Sequence, residues 1–296
     1  MTEIAIGIDL GGTRIKAVAI NATGDLLDQL YQPTNDGDDI VWKNSVAQAV
    51  NDLKRKINKQ DIVIGISAPG LPNENNTAIA FMPGRLQGLE NFDWTNFLQQ
   101  QTWVLNDGIA AMMAEAKFGA AKNKKNVVML TLGTGVGGAI LIDGKPYQGA
   151  FNKAGHIGHM VINDEGDCDV TGMPGSLEEC IGNVTVEKRS RGKFTSTHQM
   201  LNAYRNGDAF AKEVWLRSVK KLAIGLASVT NILSPETIVL GGGITECGKD
   251  LFEPLKEFMS NYEWRAGSNG VQIVKAKFGD MAGAIGAACF ALEKCQ

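Results

Sequence analysis

Long apolar runs are missing from this chain of 296 residues, and no stretch approaches the roughly 20 residues that a membrane-spanning helix needs. Hydrophobic residues still make up 44% of the sequence and charged residues 21%, as is typical of globular proteins. We therefore expect a soluble globular protein that has no membrane partner.

Cysteine is scarce, and its five residues are odd in number and irregularly spaced, which argues against a disulfide framework and fits a reducing compartment. The first residues show neither the basic region nor the cleavage site of a secretory signal peptide. Positive charge is not in excess either, because 29 basic and 32 acidic residues give a net charge of -3. We expect a cytoplasmic protein whose partner is not a nucleic acid.

Glycine, by contrast, is abundant, at 35 of the 296 residues against an average share of about 7%. Three clusters, at 11–12, 133–138 and 241–243, each follow an apolar stretch rich in β-branched residues. This pattern predicts strands that end in loops able to approach a ligand closely.

The order of predicted elements in the first part of the chain is partly repeated in the second. The first series has strands at 4–8, 16–20 and 26–31, a helix at 39–58 and a strand at 62–67. The later elements are strands at 126–132 and 138–142, a hairpin turn at Asp143-Gly144, a helix at 205–233, a strand at 237–240 and a last helix at 282–294.

The length suits two domains of roughly 100–200 residues each. We predict a first domain at 1–118 and a second at 119–281. We further expect the segment 282–296 to pack back on the first domain, and a cleft to separate the two.

The first glycine loop, Asp9-Leu10-Gly11-Gly12-Thr13-Arg14-Ile15-Lys16, joins two predicted strands, so it is neither a P-loop nor a dinucleotide fingerprint. Its glycines still let backbone N–H groups converge on a phosphate, Thr13 adds a hydroxyl, and Asp9 can hold a metal ion through water. Taken alone, such a hairpin is structural about as often as it is functional.

Two further loops share this character. Thr131-Leu132-Gly133-Thr134-Gly135-Val136-Gly137-Gly138 offers hydroxyls and glycines with no bulky side chain at the turn, which favours a phosphate loop. Leu240-Gly241-Gly242-Gly243-Ile244 follows a strand and is placed to close over a purine, although helix packing explains it equally well in isolation.

Asp107 lies between an apolar strand and the helical pattern of Ile109-Ala110-Ala111-Met112-Met113. On the sequence alone this position favours a plain helix N-cap. Phosphoryl transfer to a hydroxyl, however, needs a group that accepts the hydroxyl proton, and a carboxylate at such a site is suited to that role.

Together these ordered motifs resemble the ROK family of sugar kinases and repressors, a branch of the superfamily that includes hexokinase, actin and heat-shock chaperones. The resemblance extends over the whole chain. It rests on Ile8 to Thr13, Leu105-Asn106-Asp107, Thr131 to Gly138, Gly155-His156-Ile157-Gly158-His159, Gly175-Ser176-Leu177-Glu178 and Val239 to Gly243.

The resemblance implies an α/β fold of two ribonuclease H-like, actin-like ATPase domains with an interdomain cleft, the first on the sugar side and the second on the nucleotide side. Asp107 would be the catalytic base, and the sugar would contact Gly70, Asn106, Asp107, His156, His159 and Glu178. The phosphates of ATP would contact Asp9, Gly11, Gly12, Thr13, Lys16, Thr131, Gly133, Thr134, Gly135, Gly241 and Gly242.

The implied reaction is transfer of the γ-phosphoryl group of ATP, with Mg²⁺, to a hexose hydroxyl, most simply O6 of glucose. N-acetylmannosamine, N-acetylglucosamine, mannose, allose and fructose remain alternatives. The resemblance also implies a homodimer. A rival hypothesis is a non-catalytic sugar-binding regulator; an actin-like or chaperone-like ATPase would leave the pairing of Asn106-Asp107 with Glu178 unexplained.

The sequence departs from the family pattern in two places. His156 stands where the family usually has a sugar-binding Glu, and a histidine cannot accept two hydroxyls as a carboxylate does. Asp169, Thr171 and Ser176 stand where family members have three zinc-binding cysteines, with Cys168 displaced by one position. We therefore expect no structural zinc, and a weaker site built from Asp169, His156 and His159 is the less favoured alternative.

Family repressors add an N-terminal helix-turn-helix domain. This sequence opens directly on the first phosphate loop, so we expect no DNA binding.

Overall fold

The computed structural model describes residues 4–35, 37–82, 84 and 86–295. Its strands are β1 Ile4–Leu10, β2 Arg14–Asn21, β3 Leu26–Pro33, β4 Val63–Ala68, β5 Leu71–Pro72, β6 Ile79–Phe81, β7 Thr102–Asn106, β8 Val127–Leu132, β9 Val136–Ile142, β10 Lys145–Pro146, β11 Thr237–Gly241 and β12 Gln272–Lys275. Its α-helices are α1 Asp39–Ile57, α2 Trp94–Leu98, α3 Asp107–Phe118, α4 Leu177–Ile181, α5 Val186–Arg189, α6 Thr197–Arg205, α7 Ala209–Leu233, α8 Lys249–Tyr262 and α9 Ala282–Lys294.

The chain divides into two compact units. The first runs to Asn123 and takes in Pro146–Ala154 and the chain from Lys277 onward, and the second comprises Lys124–Lys145 and Gly155–Ala276. Within the described residues, no helix is long and apolar enough to cross a membrane.

Each unit is built on a five-stranded sheet with the same strand order. The first sheet runs β3-β2-β1-β4-β7 and the second β10-β9-β8-β11-β12. In both, the first strand of the unit pairs antiparallel with the second and parallel with the fourth. The first and second glycine loops predicted from the sequence join the first two strands of each sheet, and the third follows β11.

Helix α1 shows why the first core forms. Asp38 caps its N-terminus by accepting a hydrogen bond from Ile40 N at 2.8 Å, and Asn58 ends it in the left-handed conformation that asparagine tolerates. Apolar residues recur at helical spacing along one face, including Trp42, Val46, Ala49, Val50 and Leu53, and all five are buried. This face supplies the packing that holds the helix against the sheet.

The helix predicted at 205–233 is wrong at its start. Arg205 ends α6, Gly207 takes a positive φ of 87°, and α7 begins only at Ala209. Asp208 caps α7 by accepting from Ala211 N at 2.9 Å. The Gly207-Asp208 pair is a stop and start signal that helical periodicity alone did not separate.

Helix α9 belongs to the first unit and packs closely on its sheet through glycine. A Cβ atom on Gly7 or Gly65 would lie 1.8 or 1.9 Å from a backbone oxygen of α9. A Cβ on Gly286, within α9, would lie 1.6 Å from the carbonyl oxygen of Ala110 in α3. The backbones therefore approach to a distance that no side chain permits.

We predict that Gly286→Ala destabilises the protein. In an unconstrained helix this change would stabilise by about 0.5–1 kcal/mol, but the collision with Ala110 should reverse the sign and cost about 1–3 kcal/mol or more. The midpoint of thermal unfolding measures it. Gly225→Ala in α7 is the matched control, since its nearest neighbour is the flexible end of Met160 at 3.1 Å. An equal or higher midpoint for Gly286→Ala would contradict the close packing of α3 and α9.

Candidate active site

Asp9 lies at the end of β1, where two neighbouring strands hold its carboxylate. Lys16, its register partner on β2, donates to Oδ2 at 3.0 Å, and Ser67, its partner on β4, donates to Oδ1 at 2.8 Å. Gly11 N bonds to Arg14 O at 3.1 Å and closes the turn between the strands. The first glycine loop is therefore a tight hairpin, with Gly12 and Thr13 at its tip.

Asn106 and Asp107 stand where β7 ends and α3 begins. Asn106 is the N-cap of α3, because its Oδ1 accepts from Gly108 N at 2.9 Å, while its Nδ2 donates to Gly70 O at 3.0 Å. Asp107 is the first helical residue, and its Oδ1 accepts from Gly108 N at 2.8 Å. The prediction of Asp107 as the N-cap is wrong by one residue, which leaves its carboxylate available for another role.

The environment of Asp107 favours the protonated form more than usual. Its side chain is accessible to water, but the surrounding protein reduces its solvation. This desolvation, together with the negative charge of Asp9, raises the pKa of Asp107 to about 6, against the opposing effect of hydrogen bonds from Gly108 and Asn106. A carboxylate with that pKa is mostly ionised at pH 7 and is a better proton acceptor than an ordinary Asp.

Gly70 requires its glycine identity. Its φ is +101°, and a Cβ there would lie 2.6 Å from Phe81 O. The carbonyl that accepts from Asn106 is thus presented by a backbone conformation that other residues rarely adopt.

In the second unit, Glu178 in the first turn of α4 is joined to the second glycine loop. Its Oε2 accepts from Val136 N at 2.8 Å. Gly135 lies beneath it, because a Cβ on Gly135 would come within 2.1 Å of the same oxygen. Thr131, at the end of β8, lies opposite Gly137 in the hairpin register.

His156 precedes a short 3-10 turn that ends at His159 and packs on β9. A Cβ on Gly158 would lie 1.8 Å from Val136 O, so glycine is needed for the turn to sit there. The two imidazole rings lie 6.3 Å apart at 14° to each other. Burial, and secondarily the charge of His159, lowers the pKa of His156 from its ordinary 6.5. His156 is therefore a neutral group at pH 7.

Asp169 is the centre of a hydrogen-bond network. Its Oδ2 lies 2.8 Å from His159 Nδ1, and its Oδ1 accepts from Thr171 N, Thr171 Oγ1 and Met173 N at 2.8, 2.7 and 3.1 Å. Burial alone would raise the pKa of Asp169, but hydrogen bonds from Thr171, His159 and Ser176 outweigh it and hold the pKa below its usual value.

These residues do not fit a zinc ion. The aligned positions supply one carboxylate whose oxygens are engaged, and two hydroxyls, which are not zinc ligands of structural sites. In the part of the chain that the structure describes, no group of three or more His, Cys, Asp and Glu side chains is arranged to hold a metal ion.

A cavity of about 460 Å³ opens beside the second and third glycine loops. Residues that line it include Gly133, Thr134, Thr197, Arg205, Gly243 and Ile244. A Cβ atom built on Gly133 or on Gly243 would have no neighbouring atom within 4 Å. Both loops therefore border open space. The hydroxyl of Thr197 is buried and has no hydrogen-bond partner among the described residues.

Gly243 of the third loop lines this cavity, whereas Gly241 and Gly242 are closely surrounded by protein atoms. A Cβ on Gly241 would lie 3.2 Å from the side chain of Met129. Gly242 has a φ of +85°, and a Cβ there would lie 2.4 Å from Leu132 O. Thr197 and Arg205 were missed by sequence reasoning because they come from α6, remote along the chain and without a glycine motif.

Comparison with known proteins agrees with the motifs. The ROK family model matches residues 5–294. A glucokinase of Halalkalibacterium halodurans is 31% identical over 95% of this chain and 92% of its own length. An N-acetylmannosamine kinase of Vibrio cholerae is 32% identical over 81% of this chain and 83% of its own. A ROK hexokinase structure from Thermus thermophilus matches with a TM-score of 0.89 at 26% identity, covering 99% of both chains.

The matches confirm two predictions made from the sequence. The family resemblance is confirmed by the family model and the relatives, and the α/β class with two actin-like domains is confirmed by the structural match.

We predict that the purified protein contains no stoichiometric zinc and that a strong chelator leaves its thermal midpoint unchanged. The hydrogen bonds of Asp169 hold this segment, whereas a structural zinc would contribute folding free energy that chelation removes. Elemental analysis and thermal unfolding with and without chelator measure this. One zinc per chain, or a lower midpoint in chelator, would contradict the prediction.

Proposed function

The chain belongs to the ROK family, and on that basis we propose that it is an ATP-dependent sugar kinase, which transfers the γ-phosphoryl group of ATP to a hydroxyl of a hexose. The observation that carries the proposal is Asp107, a carboxylate at the start of α3 with a pKa of about 6 and a fixed neighbour in Asn106. That arrangement suits a base that accepts the proton of an attacking hydroxyl.

In this proposal Asp107 takes the proton of the sugar hydroxyl as the hydroxyl oxygen attacks the γ-phosphorus, and the bond from the γ-phosphorus to the bridging oxygen breaks to release ADP. Phosphoryl transfer needs alignment and charge stabilisation more than covalent chemistry. Asn106 is held by Gly108 and Gly70, so its side chain has a fixed orientation beside the sugar. Gly70 contributes a backbone contact, and Glu178, His156 and His159 contribute the remaining polar contacts.

The nucleotide is proposed to occupy the cavity beside Gly133 and Gly243. Backbone N–H groups of the glycine loops and the hydroxyl of Thr134 suit phosphate oxygens. The unpartnered Thr197 hydroxyl suits a polar edge of the base, since a buried hydroxyl gains from any partner that reaches it. The first loop, with Gly11, Gly12 and Thr13, is proposed to contact the transferred phosphate.

Mg²⁺ accompanies ATP in this proposal and supplies charge neutralisation at the phosphates when bound. Asp9 would hold it through water. The residue fits that role because each of its oxygens accepts one hydrogen bond, from Ser67 or Lys16, and a carboxylate has about four acceptor sites in total.

Glucose, phosphorylated at O6, is the proposed substrate, with the N-acetylhexosamines, mannose, allose and fructose as alternatives that His156 keeps open. The quaternary structure is proposed to be a homodimer. A panel of hexoses and N-acetylhexosamines, assayed for ADP formation with the product position found by NMR, tests the function. No phosphorylation of any sugar in the panel would contradict the proposal.

We predict that Asp107→Asn lowers kcat by about 10²–10⁴-fold while sugar and nucleotide still bind. The amide keeps the size and hydrogen bonding of the side chain but cannot take a proton. Steady-state kinetics and calorimetric dissociation constants separate the two effects. Asp143→Asn, in the exposed hairpin turn after β9, is the matched control. An Asp107→Asn enzyme within a few-fold of the wild-type kcat would remove Asp107 from the mechanism.

We also predict that His156→Glu changes the ranking of sugars without changing the KM for ATP, because the phosphate loops are untouched. Truncation in His156→Ala should weaken sugar binding by about 0.5–1.5 kcal/mol for each hydrogen bond lost. Because the pKa of His156 is lowered, the part of the pH dependence of sugar affinity that His156→Ala removes should lie below pH 6.5, measured in the Asp107→Asn background so that Asp107 does not titrate. Identical sugar rankings for wild type and both variants would show that position 156 does not face the sugar.

A further inference from the structure

The pair formed by His159 and Asp169 fixes where the imidazole carries its proton. The Nδ1 atom of His159 lies 2.8 Å from Oδ2 of Asp169, whose side chain is fully buried. A carboxylate that accepts several N–H and O–H groups stays ionised and can only accept. The proton between the two groups is therefore on Nδ1.

The other oxygen of Asp169 cannot change this arrangement. It already accepts from Thr171 N, Thr171 Oγ1 and Met173 N, so the carboxylate is held in one orientation by donors that belong mainly to the backbone. The side chain of His159 has no other hydrogen bond among the described residues, and 27% of its surface is exposed. In a neutral ring Nε2 is then a bare acceptor, available to a ligand.

We propose that Asp169 is a positioning residue that holds His159 in the Nδ1–H tautomer, so that His159 Nε2 accepts a hydrogen bond from a hydroxyl of the sugar. The inference rests on the proposed function. It names His159 as the group in the sugar site that recognises one hydroxyl by accepting its hydrogen bond. It also explains the mismatch with zinc. A metal ion bound at Nδ1 would leave the proton on Nε2 and make that nitrogen a donor.

The acceptor at His159 Nε2 compensates for the histidine at position 156. A carboxylate there would accept hydrogen bonds from more than one hydroxyl, whereas the neutral His156 offers one acceptor at most. The neighbouring ring of His159, 6.3 Å away, supplies an acceptor on the same turn. The two departures from the family pattern, His156 and Asp169, are thus linked: the first removes a hydrogen-bond acceptor from the site and the second provides one at His159.

The substitution Asp169→Asn should invert the tautomer. Its amide oxygen should keep the place of Oδ1, because three donors converge there and an NH₂ group would repel them. The NH₂ group would then face His159 and donate to Nδ1, which moves the imidazole proton to Nε2. Thr171→Val is the matched control: it removes one donor to Oδ1 and leaves the carboxylate opposite His159.

Nitrogen NMR of the full-length protein tests the tautomer directly. The chain has only three histidines, so ¹⁵N-labelled imidazoles can be assigned with His159→Gln and His198→Gln. In alkaline buffer we expect the His159 ring to be protonated on Nδ1 alone in wild type and Thr171→Val, and on Nε2 alone in Asp169→Asn. A wild-type ring protonated on Nε2, or on both nitrogens, would overturn the proposal, and this result stands even if Asp169→Asn fails to fold.

Sugar analogues test the acceptor role. Fluorine accepts but cannot donate, so at one carbon the deoxyfluoro and deoxy forms of a bound sugar should both bind about 3- to 10-fold more weakly than the parent sugar. His159→Ala should abolish the discrimination at that carbon. Full binding of the deoxyfluoro sugar at every position would overturn the acceptor role. Failure of every sugar to bind would instead contradict the proposed function, while the NMR result would still report the Asp169–His159 pair.

Discussion

The two hydrogen bonds of Asn106 are the contacts on which the candidate active site depends. One, from its Nδ2 to Gly70 O, fixes the loop that follows β4, and the other, from Gly108 N to its Oδ1, begins α3. Because Asn106 caps the helix, the carboxylate of Asp107 is not needed as the cap. Asp107 lies at the end of the sheet, near Asp9. Desolvation and, second to it, the charge of Asp9 then raise the pKa of Asp107. A carboxylate with a raised pKa, which suits the base that we propose, therefore follows from a helix cap one residue before it.

The sequence was most informative where local chemistry decides the structure. Strand ends marked by glycine, the Asp143-Gly144 turn and the last helix at 282–294 were predicted within a few residues, because turn and cap residues act over short distances. The break at Gly207 was missed, since apolar periodicity continues across it. Non-local contacts were also out of reach: the bond from Ser67 to Asp9, and the meeting of α6 with the glycine loops, depend on register and packing between distant segments.

The segment after His159 illustrates how one set of positions serves different chemistry. At the positions where the family resemblance predicts zinc-binding cysteines, this chain has a buried carboxylate that accepts from the side chains of His159 and Thr171 and from the amides of Thr171 and Met173. Such a network can hold a loop because both oxygens of the buried carboxylate are paired. In our proposal this network, unlike a metal ion at Nδ1, leaves Nε2 of His159 as an acceptor, and it joins the loop to a histidine that we propose contacts the sugar.

The most direct measurement of the proposed mechanism is the pH dependence of kcat/KM for the sugar, at saturating ATP and Mg²⁺, from about pH 4.5 to about pH 8.5. Since Asp107 acts only when ionised and its pKa is about 6, we expect a plateau above that pH and a tenfold fall for each unit below it. The same profile in His156→Gln would assign this fall of kcat/KM at acid pH, the acid limb, to Asp107 rather than to His156. A rate that stays flat to the acid end of the range, or a limb that vanishes in His156→Gln, would contradict Asp107 as the base.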